Sequence, residues 1–211
     1  MVSRGRLPGR RVSGQWRFSE AEIHHWLEDQ IGASDDSEEL DRVQRVVDRM
    51  TDETHNRTIH DLCTHDTIEV PLQARTRGSV IRKMSELAAR SGLMWDAPAM
   101  AEAVQSREQM HPTALDCGVA MLHPRRPQTS ILADTVIALG VSQAPIPFSD
   151  EGHMVDVFFL ICSYDDSSHL RTLARISRLI SIESFLDRLR SSESASDAWH
   201  CLQEAESLMS A

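Results

Sequence analysis

The chain has 211 residues and a formal net charge of −10, with ordinary apolar (41%) and charged (26%) fractions for a globular protein with one sizeable core. No apolar run approaches the roughly 18 residues that a membrane helix needs, and the basic N-terminus lacks the apolar stretch of a signal peptide. These features argue against a membrane-spanning or exported chain, so we expect a cytoplasmic protein. The four cysteines show no CxxC spacing, and we expect reduced thiols, with Cys117 and Cys162 in buried strands.

The first 31 residues form a basic head on an acidic chain. The first acidic residue, Glu20, is preceded by five arginines: Arg4, Arg6, Arg10, Arg11 and Arg17. Two short strands are expected, the first over 6–9 and the second over 12–18, around a glycine-centred turn. Ser19 and Glu22 then form a capping box for a helix that carries Trp26.

This head resembles the wing and closing helix of the excisionase/MerR-like winged-helix DNA-binding domains. The first two helices of that family, including the recognition helix, have no counterpart in this sequence. Two explanations stay open, because either the protein starts upstream of Met1 or the head is a remnant. The resemblance implies at most phosphate contacts between the arginines and DNA, since sequence-specific reading needs a recognition helix.

Residues 32–57 are expected to form a linker and an amphipathic helix. The linker, 32–39, is rich in Ser, Asp and Glu. Apolar residues then recur at helical spacing: Leu40, Val43, Val46, Val47 and Met50. This helix either packs on the following domain, which is the commoner outcome, or pairs with a second copy of the chain in a homodimer.

A group of side chains that can bind metals follows the amphipathic helix. Its members are His55, His60, Asp61, Cys63, His65 and Asp66. Their spacings fit no established zinc pattern, and Cys63 can equally lie in a core, so we expect a polar connection and no metal site. No cofactor is expected either.

Helices alternate with short apolar strands from residue 58 to residue 207. The expected elements are helices over 77–90, 96–109 and 170–180, strands over 118–122, 134–139 and 155–162, and two last helices that start near Phe185 and Trp199. The continuous apolar run 155–162 is typical of a central strand that is covered on both faces. The alternation predicts one α/β domain, a sandwich with a mixed sheet.

The stretch 107–124 ends a helix, turns, and runs through the strand 118–122 into His123 and Pro124. A strand that ends on a histidine followed by proline holds an imidazole at a sheet edge, which is a usual position for chemistry in α/β folds. A neutral imidazole at an open surface is a nucleophile, because one ring nitrogen carries a lone pair. Taken alone, His123 is either such a nucleophile or an ordinary loop residue.

Several segments of this region together fit one family pattern. They are Arg107-Glu108 at a helix end, Thr113, Gly118-Val119-Ala120-Met121-Leu122-His123, the apolar strand Val155–Leu160, and Ser168-His169-Leu170 at a helix start. The pattern resembles the IIA domains of the fructose/mannitol type of the bacterial phosphoenolpyruvate:sugar phosphotransferase system, especially the nitrogen-regulatory members. The resemblance covers roughly 58–205. One departure is Leu122, which stands where the family has a proline.

The resemblance implies the mixed-sheet α/β sandwich of that IIA type and a phosphorelay site. It implies that His123 is the phosphoacceptor, that His169 donates a hydrogen bond to phosphoryl oxygens, and that Thr113 lies close to His123. Arg107 is implied to support the site and the phosphoryl oxygens, although an arginine at a helix C-terminus can also serve only the helix dipole. The implied partners are HPr or its nitrogen-branch counterpart as donor, and a IIB domain or a regulatory target protein as acceptor.

Two functions stay open at this point. The first is a protein-histidine phosphocarrier, for which a regulatory role is at least as plausible as sugar delivery. The second is a non-catalytic, transcription-linked interaction module that keeps the fold and has lost phosphorelay, as Leu122 and the truncated head suggest. The joint presence of His123, His169 and Arg107 favours the first, because a decayed domain would be expected to lose one of them.

Overall fold

The computed structural model describes residues 10–12, 15–17, 26, 57–149 and 152–209. Near the N-terminus, β1 (Arg10–Val12) and β2 (Gln15–Arg17) pair as an antiparallel hairpin. The expected start of the second strand at Val12 is wrong, because Val12 belongs to β1 and pairs with Gln15 of β2. Only two residues separate the two strands, which is the commonest hairpin connection.

Most of the N-terminal predictions lie outside the described residues. These are the helix capped by Ser19, the linker 32–39 and the amphipathic helix at 40–50. The winged-helix resemblance, and with it DNA binding, gains no support from the hairpin alone. Trp26 is helical, and its half-buried side chain packs against one of the two cores of the following domain.

The α/β domain begins at α1 and ends at α6. In chain order its elements are α1 (Ile59–Leu62), a 3₁₀ turn (His65–Thr67), β3 (Ile68–Glu69), α2 (Arg77–Ala89), α3 (Ala97–Met110), β4 (Val119–Leu122), β5 (Val136–Pro147), β6 (Met154–Cys162), α4 (Asp166–Ser181), α5 (Phe185–Arg190) and α6 (Ala195–Met209). Polar side chains start the helices as the capping rules predict. Thr76, Asp96 and Asp165 accept hydrogen bonds from backbone N–H groups of the first turns of α2, α3 and α4.

The sheet has four strands in the order β3–β5–β6–β4. β5 and β6 form a long antiparallel pair, while β3 lies parallel to β5 and β4 lies parallel to β6. An irregularity between Val141 and Ile146 shifts the register of β5 against β6. The predicted mixed sheet is confirmed.

Side chains alternate across the sheet and build one core on each face. The α4 core lies on the side of α1, α4, α5 and α6 and takes Val119 and Met121 from β4. The α2/α3 core lies on the other side and takes Ala120 and Leu122 from β4. The sheet is therefore the middle layer of a three-layer sandwich, which explains why β6 is continuously apolar over residues 157–162. No helix in the described ranges is long and apolar enough to cross a membrane.

The interpretation of the stretch before β3 as a polar connection is wrong for residues 59–66. This segment forms α1 and the 3₁₀ turn, and it buries Ile59 and Cys63 completely. The carboxylate of Glu206 in α6 accepts hydrogen bonds from the backbone N–H groups of Ile59 (2.7 Å) and His60 (2.9 Å). Among the described residues, no group of three or more His, Cys, Asp or Glu side chains could hold a metal ion.

Cys117 also differs from its prediction, because it is exposed and precedes β4 instead of lying within a strand. The reason is Gly118, whose positive φ of 83° turns the chain just before the strand begins. Cys162 is buried at the end of β6, as expected.

Candidate functional site

The alternation of side chains along β4 and β6 brings two polar residues to one face of the sheet. Met121 in β4 and Ile161 in β6 both belong to the α4 core. His123 and Ser163 continue the alternation one step past the ends of these two parallel strands. Both residues therefore lie on the side of the sheet that α4 covers.

The ring of His123 is held by its own strand. Its Nδ1 lies 2.8 Å from the carbonyl oxygen of Met121. A carbonyl only accepts, so in the neutral imidazole Nδ1 carries the proton and Nε2 carries the lone pair. The backbone thus selects the tautomer, and with it the ring nitrogen that can act as a nucleophile.

His169 lies in the first turn of α4, next to His123. The two ring centroids are 4.8 Å apart, with an angle of 54° between the ring planes. The hydroxyl of Ser163 lies 3.4 Å from Nδ1 of His169. Asp165, which caps α4, fixes the position of this turn through its bond from the backbone N–H of Ser168.

Both imidazoles are buried, which corrects the expectation of a histidine at an open surface. His123 is 4% exposed and His169 is 5% exposed. The residues on either side of His123, Leu122 and Pro124, are buried as well, and His169 of α4 lies against the ring. Leu122, which stands in the place of the family proline, is fully buried in the α2/α3 core.

Thr113 is linked to His123 through the backbone. Its carbonyl oxygen accepts a hydrogen bond from the N–H of Met121 at 3.3 Å, and the carbonyl of Met121 in turn holds the His123 ring. Both the N–H (3.1 Å) and the hydroxyl of Thr113 donate to the carboxylate of Glu108. Thr113 therefore positions the end of β4.

Arg107 is buried, and its guanidinium donates to the carbonyl oxygen of His111 at 2.7 Å. This contact satisfies a carbonyl group at the C-terminus of α3, as the helix-end alternative for Arg107 expects. The structure thus brings His123 and His169 together and links Thr113 to them through Met121. The described hydrogen bond of Arg107 is directed to the end of α3.

Sequence reasoning gave too little weight to Glu108 and missed Arg77. Glu108 is 1% exposed, and Arg77 donates to its carboxylate at 3.2 Å and to its main-chain carbonyl. Burial raises the pKa of the Glu108 carboxyl, and the hydrogen bonds from Thr113 and the charge of Arg77 oppose that rise. The Arg-Glu pair in the sequence was a signal for Glu108, but no local pattern points to Arg77.

Arg125 and Arg126, close to His169, were also missed. A narrow cleft at His169 is lined by Arg125, Arg126, Ser163 and Asp166, together with Pro124 and Pro127. The signal for the arginines was present, because they follow His123 within three residues and lie between two prolines. The site thus consists of two adjacent imidazoles, one with its tautomer fixed, beside a cleft with two cationic side chains.

This fold and this site define a mixed-sheet α/β sandwich domain with a pair of histidines at one end of the sheet. Residues 61–205 match the family model described as the phosphoenolpyruvate-dependent sugar phosphotransferase system, EIIA 2. The chain therefore belongs to this EIIA family.

Known proteins of this kind are similar to the chain over the same region. A nitrogen regulatory protein from Bradyrhizobium diazoefficiens is 30% identical over 142 residues, which is 65% of this chain and 89% of that protein. The crystal structure of nitrogen regulatory protein IIA-Ntr from Neisseria meningitidis aligns with a TM-score of 0.60 and 19% identity, covering 68% of this chain and 98% of that one.

A further structure shows a similar fold in a complex. The complex of enzyme IIA-mannitol with phosphorylated enzyme IIB-mannitol from Escherichia coli aligns with a TM-score of 0.56 and 18% identity, covering 66% of this chain and 95% of that one. These matches support a regulatory IIA-type protein and give no support to the alternative of a non-catalytic, transcription-linked module.

Proposed function

We propose that His123 accepts a phosphoryl group from HPr or a nitrogen-branch counterpart, so that the protein is a histidine phosphocarrier with a regulatory role. The observation that carries the proposal is the hydrogen bond from Nδ1 of His123 to the Met121 carbonyl, which leaves the lone pair on Nε2. The neighbouring ring of His169, 4.8 Å away between centroids, is in reach of a phosphoryl group on that nitrogen.

The phosphoryl transfer needs no separate base, because the attacking nitrogen carries no proton. The Nε2 lone pair of neutral His123 attacks phosphorus, the phosphorus–nitrogen bond of the donor phosphohistidine breaks, and its electron pair returns to the donor ring. The proton on Nδ1 of His123 stays in place, where the Met121 carbonyl stabilises the positive charge that the phosphorylated ring acquires. Hydrogen bonding from His169 to phosphoryl oxygens would add to that stabilisation.

The regulatory role and the partners rest on the relatives. Two curated relatives are nitrogen regulatory proteins, and this favours a regulatory endpoint over sugar delivery. A IIB domain is a second candidate partner, because a IIA domain of similar fold is known in complex with a phosphorylated IIB enzyme. We propose that residues 58–207 carry this function and that it operates in the cytoplasm with these partners.

Phosphoryl transfer in vitro tests the proposal. The full chain is incubated with phosphoenolpyruvate, enzyme I and HPr, or with their nitrogen-branch counterparts, and its intact mass is measured. We expect an acid-labile gain of one phosphoryl group on the wild type and on His111→Ala, which removes an exposed histidine. His123→Ala should gain none, and a wild type that no carrier phosphorylates would overturn the proposal.

A further inference from the structure

The segment that follows His123 brings two arginines to the cleft at His169. Arg125 and Arg126 are exposed, and both line the cleft that Ser163 and His169 also line. They lie between Pro124 and Pro127 in the sequence. Proline fixes its own φ and restricts the residue before it, so this segment cannot become part of a helix or a central strand.

The charges of these arginines are not neutralised by neighbours in the described structure. Arg77, Arg188 and Arg190 are ion-paired with carboxylates, and Arg107 is hydrogen-bonded to a carbonyl group. In the described part of the chain, neither Arg125 nor Arg126 has a carboxylate within ion-pair distance. The Arg125 guanidinium makes a weak contact with the sulfur of Met110 at 3.9 Å.

The balance of charge in the cleft is therefore positive. Asp166 is the acidic residue of its lining, against two arginines. The cleft is therefore opposite in sign to the whole chain, whose net charge is −10. A guanidinium presents several N–H donors in a planar fork that matches the oxygens of a phosphoryl group.

We propose that Arg125 and Arg126 bind the oxygens of the phosphoryl group while it moves to Nε2 of His123. This inference rests on the proposed function, and it adds two cationic residues to the site that His123 and His169 form. Negative charge is spread over the phosphoryl oxygens in the transition state, and two guanidinium groups beside the histidines stabilise it. No atom is transferred to or from the arginines.

The test compares two phosphoryl donors on the same set of variants. One donor is the phosphorylated carrier protein, and the other is phosphoramidate, a small molecule that releases ammonia when its phosphorus–nitrogen bond breaks. The variants of the full chain are the double change Arg125→Gln/Arg126→Gln, the double change to Lys, and the control Arg82→Gln, which removes an exposed arginine of α2. The measured quantities are the rate of phosphorylation of His123 and the thermal unfolding midpoint.

We expect the double Gln variant to be slower by roughly ten- to a hundredfold with both donors, which corresponds to the loss of one or two charge-assisted hydrogen bonds. The double Lys variant should recover part of the rate, and Arg82→Gln should equal the wild type. Unfolding midpoints should agree among the variants. If the Gln variant is destabilised, the phosphorylation rates of the Lys variant and the wild type are compared instead.

The experiment separates the role of the two arginines from the phosphorylation of His123. If only the reaction with the carrier protein slows, the arginines dock the partner and do not bind the phosphoryl group. If neither reaction slows while the wild type is phosphorylated on His123, the arginines have no role in transfer and the proposed function stands. If neither donor phosphorylates the wild type, the proposed function fails together with this inference.

Discussion

Thr113 is tied to Glu108 at two points, through its backbone N–H at 3.1 Å and through its hydroxyl group, and both bonds end on the same carboxylate oxygen. This pair joins the C-terminus of α3 to the loop that leads into β4. Because the Thr113 carbonyl also accepts from the N–H of Met121, the pair connects a buried carboxylate of α3 to the strand that carries His123.

Burial of Glu108 predicts a specific pH dependence of stability. Its pKa in the folded state is raised by desolvation, so above the ordinary carboxyl pKa the folded chain keeps a proton that the unfolded chain has lost. The stability contributed by this group is present at low pH and is lost as the pH rises through the folded pKa. The quantity to follow is the free energy of unfolding of the wild type minus that of the Glu108→Gln variant. We expect this difference to fall as the pH is raised from about 4 toward neutrality.

Chemical denaturation of both proteins across this pH range measures that difference, and the subtraction removes the titration of the other groups. A difference that rises with pH would mean that Arg77 and Thr113 outweigh burial and lower the pKa of Glu108. Glu86→Gln, at an exposed position of α2, serves as the control and should show no such trend.

The tautomer of His123 predicts which phosphohistidine isomer forms. Because Nδ1 donates to the Met121 carbonyl, phosphorylation is expected at Nε2 alone. Nitrogen-15 NMR of the phosphorylated protein distinguishes the two isomers through the couplings of the ring nitrogens to phosphorus and to the ring protons. A phosphoryl group on Nδ1 would show that the hydrogen bond to Met121 breaks before transfer.

Gly118 is predicted to be intolerant of any side chain. Its φ is +83°, and a Cβ atom there would lie 2.8 Å from Nη2 of Arg190 and 3.3 Å from Oδ1 of Asp156, which form an ion pair with each other. We expect Gly118→Ala to lower the free energy of unfolding by about 1–3 kcal/mol, because both the backbone and the ion pair are strained. Denaturant titration measures the loss.

Gly78 is the matched control for that substitution. It lies in the first turn of α2, and a Cβ atom there would have no neighbour within 4 Å. Gly78→Ala should leave stability unchanged or raise it by up to about 1 kcal/mol, because alanine favours the helical conformation. Equal losses at Gly118 and Gly78 would contradict the steric argument.

The cysteines are predicted to differ sharply in reactivity. Burial raises the pKa of the Cys63 and Cys162 thiols to about 12 and also raises the pKa of the Cys201 thiol, whereas Cys117 is exposed. Brief treatment of the native protein with a thiol reagent should therefore modify Cys117 alone. Peptide mapping locates the label, Cys117→Ser should take up none, and labelling of Cys63 would show that α1 opens readily.

Much of the fold could be predicted because apolar periodicity marks its elements. The expected helices 77–90 and 96–109 and the strand 155–162 agree with α2, α3 and β6 to within one or two residues. β5 is much longer than predicted, running to Pro147, because its second half is largely exposed and carries no apolar alternation. α4 begins four residues early, since Asp165 caps it before the apolar pattern starts.

The site was predictable only in part, and the reason is distance along the chain. His123 and His169 were found from a family resemblance, since nothing local shows that residues 46 positions apart will touch. The contact between Arg77 and Glu108 spans 31 positions, and that between Glu206 and the start of α1 spans 147. Such contacts depend on how the layers pack, which periodicity does not reveal.

The alternation of β4 also separates the histidines from half of the hydrophobic interior. Val119, Met121 and His123 lie on one face of the strand, whereas Ala120 and Leu122 support the α2/α3 core on the other. Strain in a close-packed interior passes through atoms in contact, and substitutions on opposite faces of a sheet are nearly additive. Volume-conserving changes among the apolar side chains of the α2/α3 core should therefore leave the imidazole pair in place, so these side chains are able to diverge in sequence, whereas Glu108 of α3 is constrained by its link through Thr113 to β4.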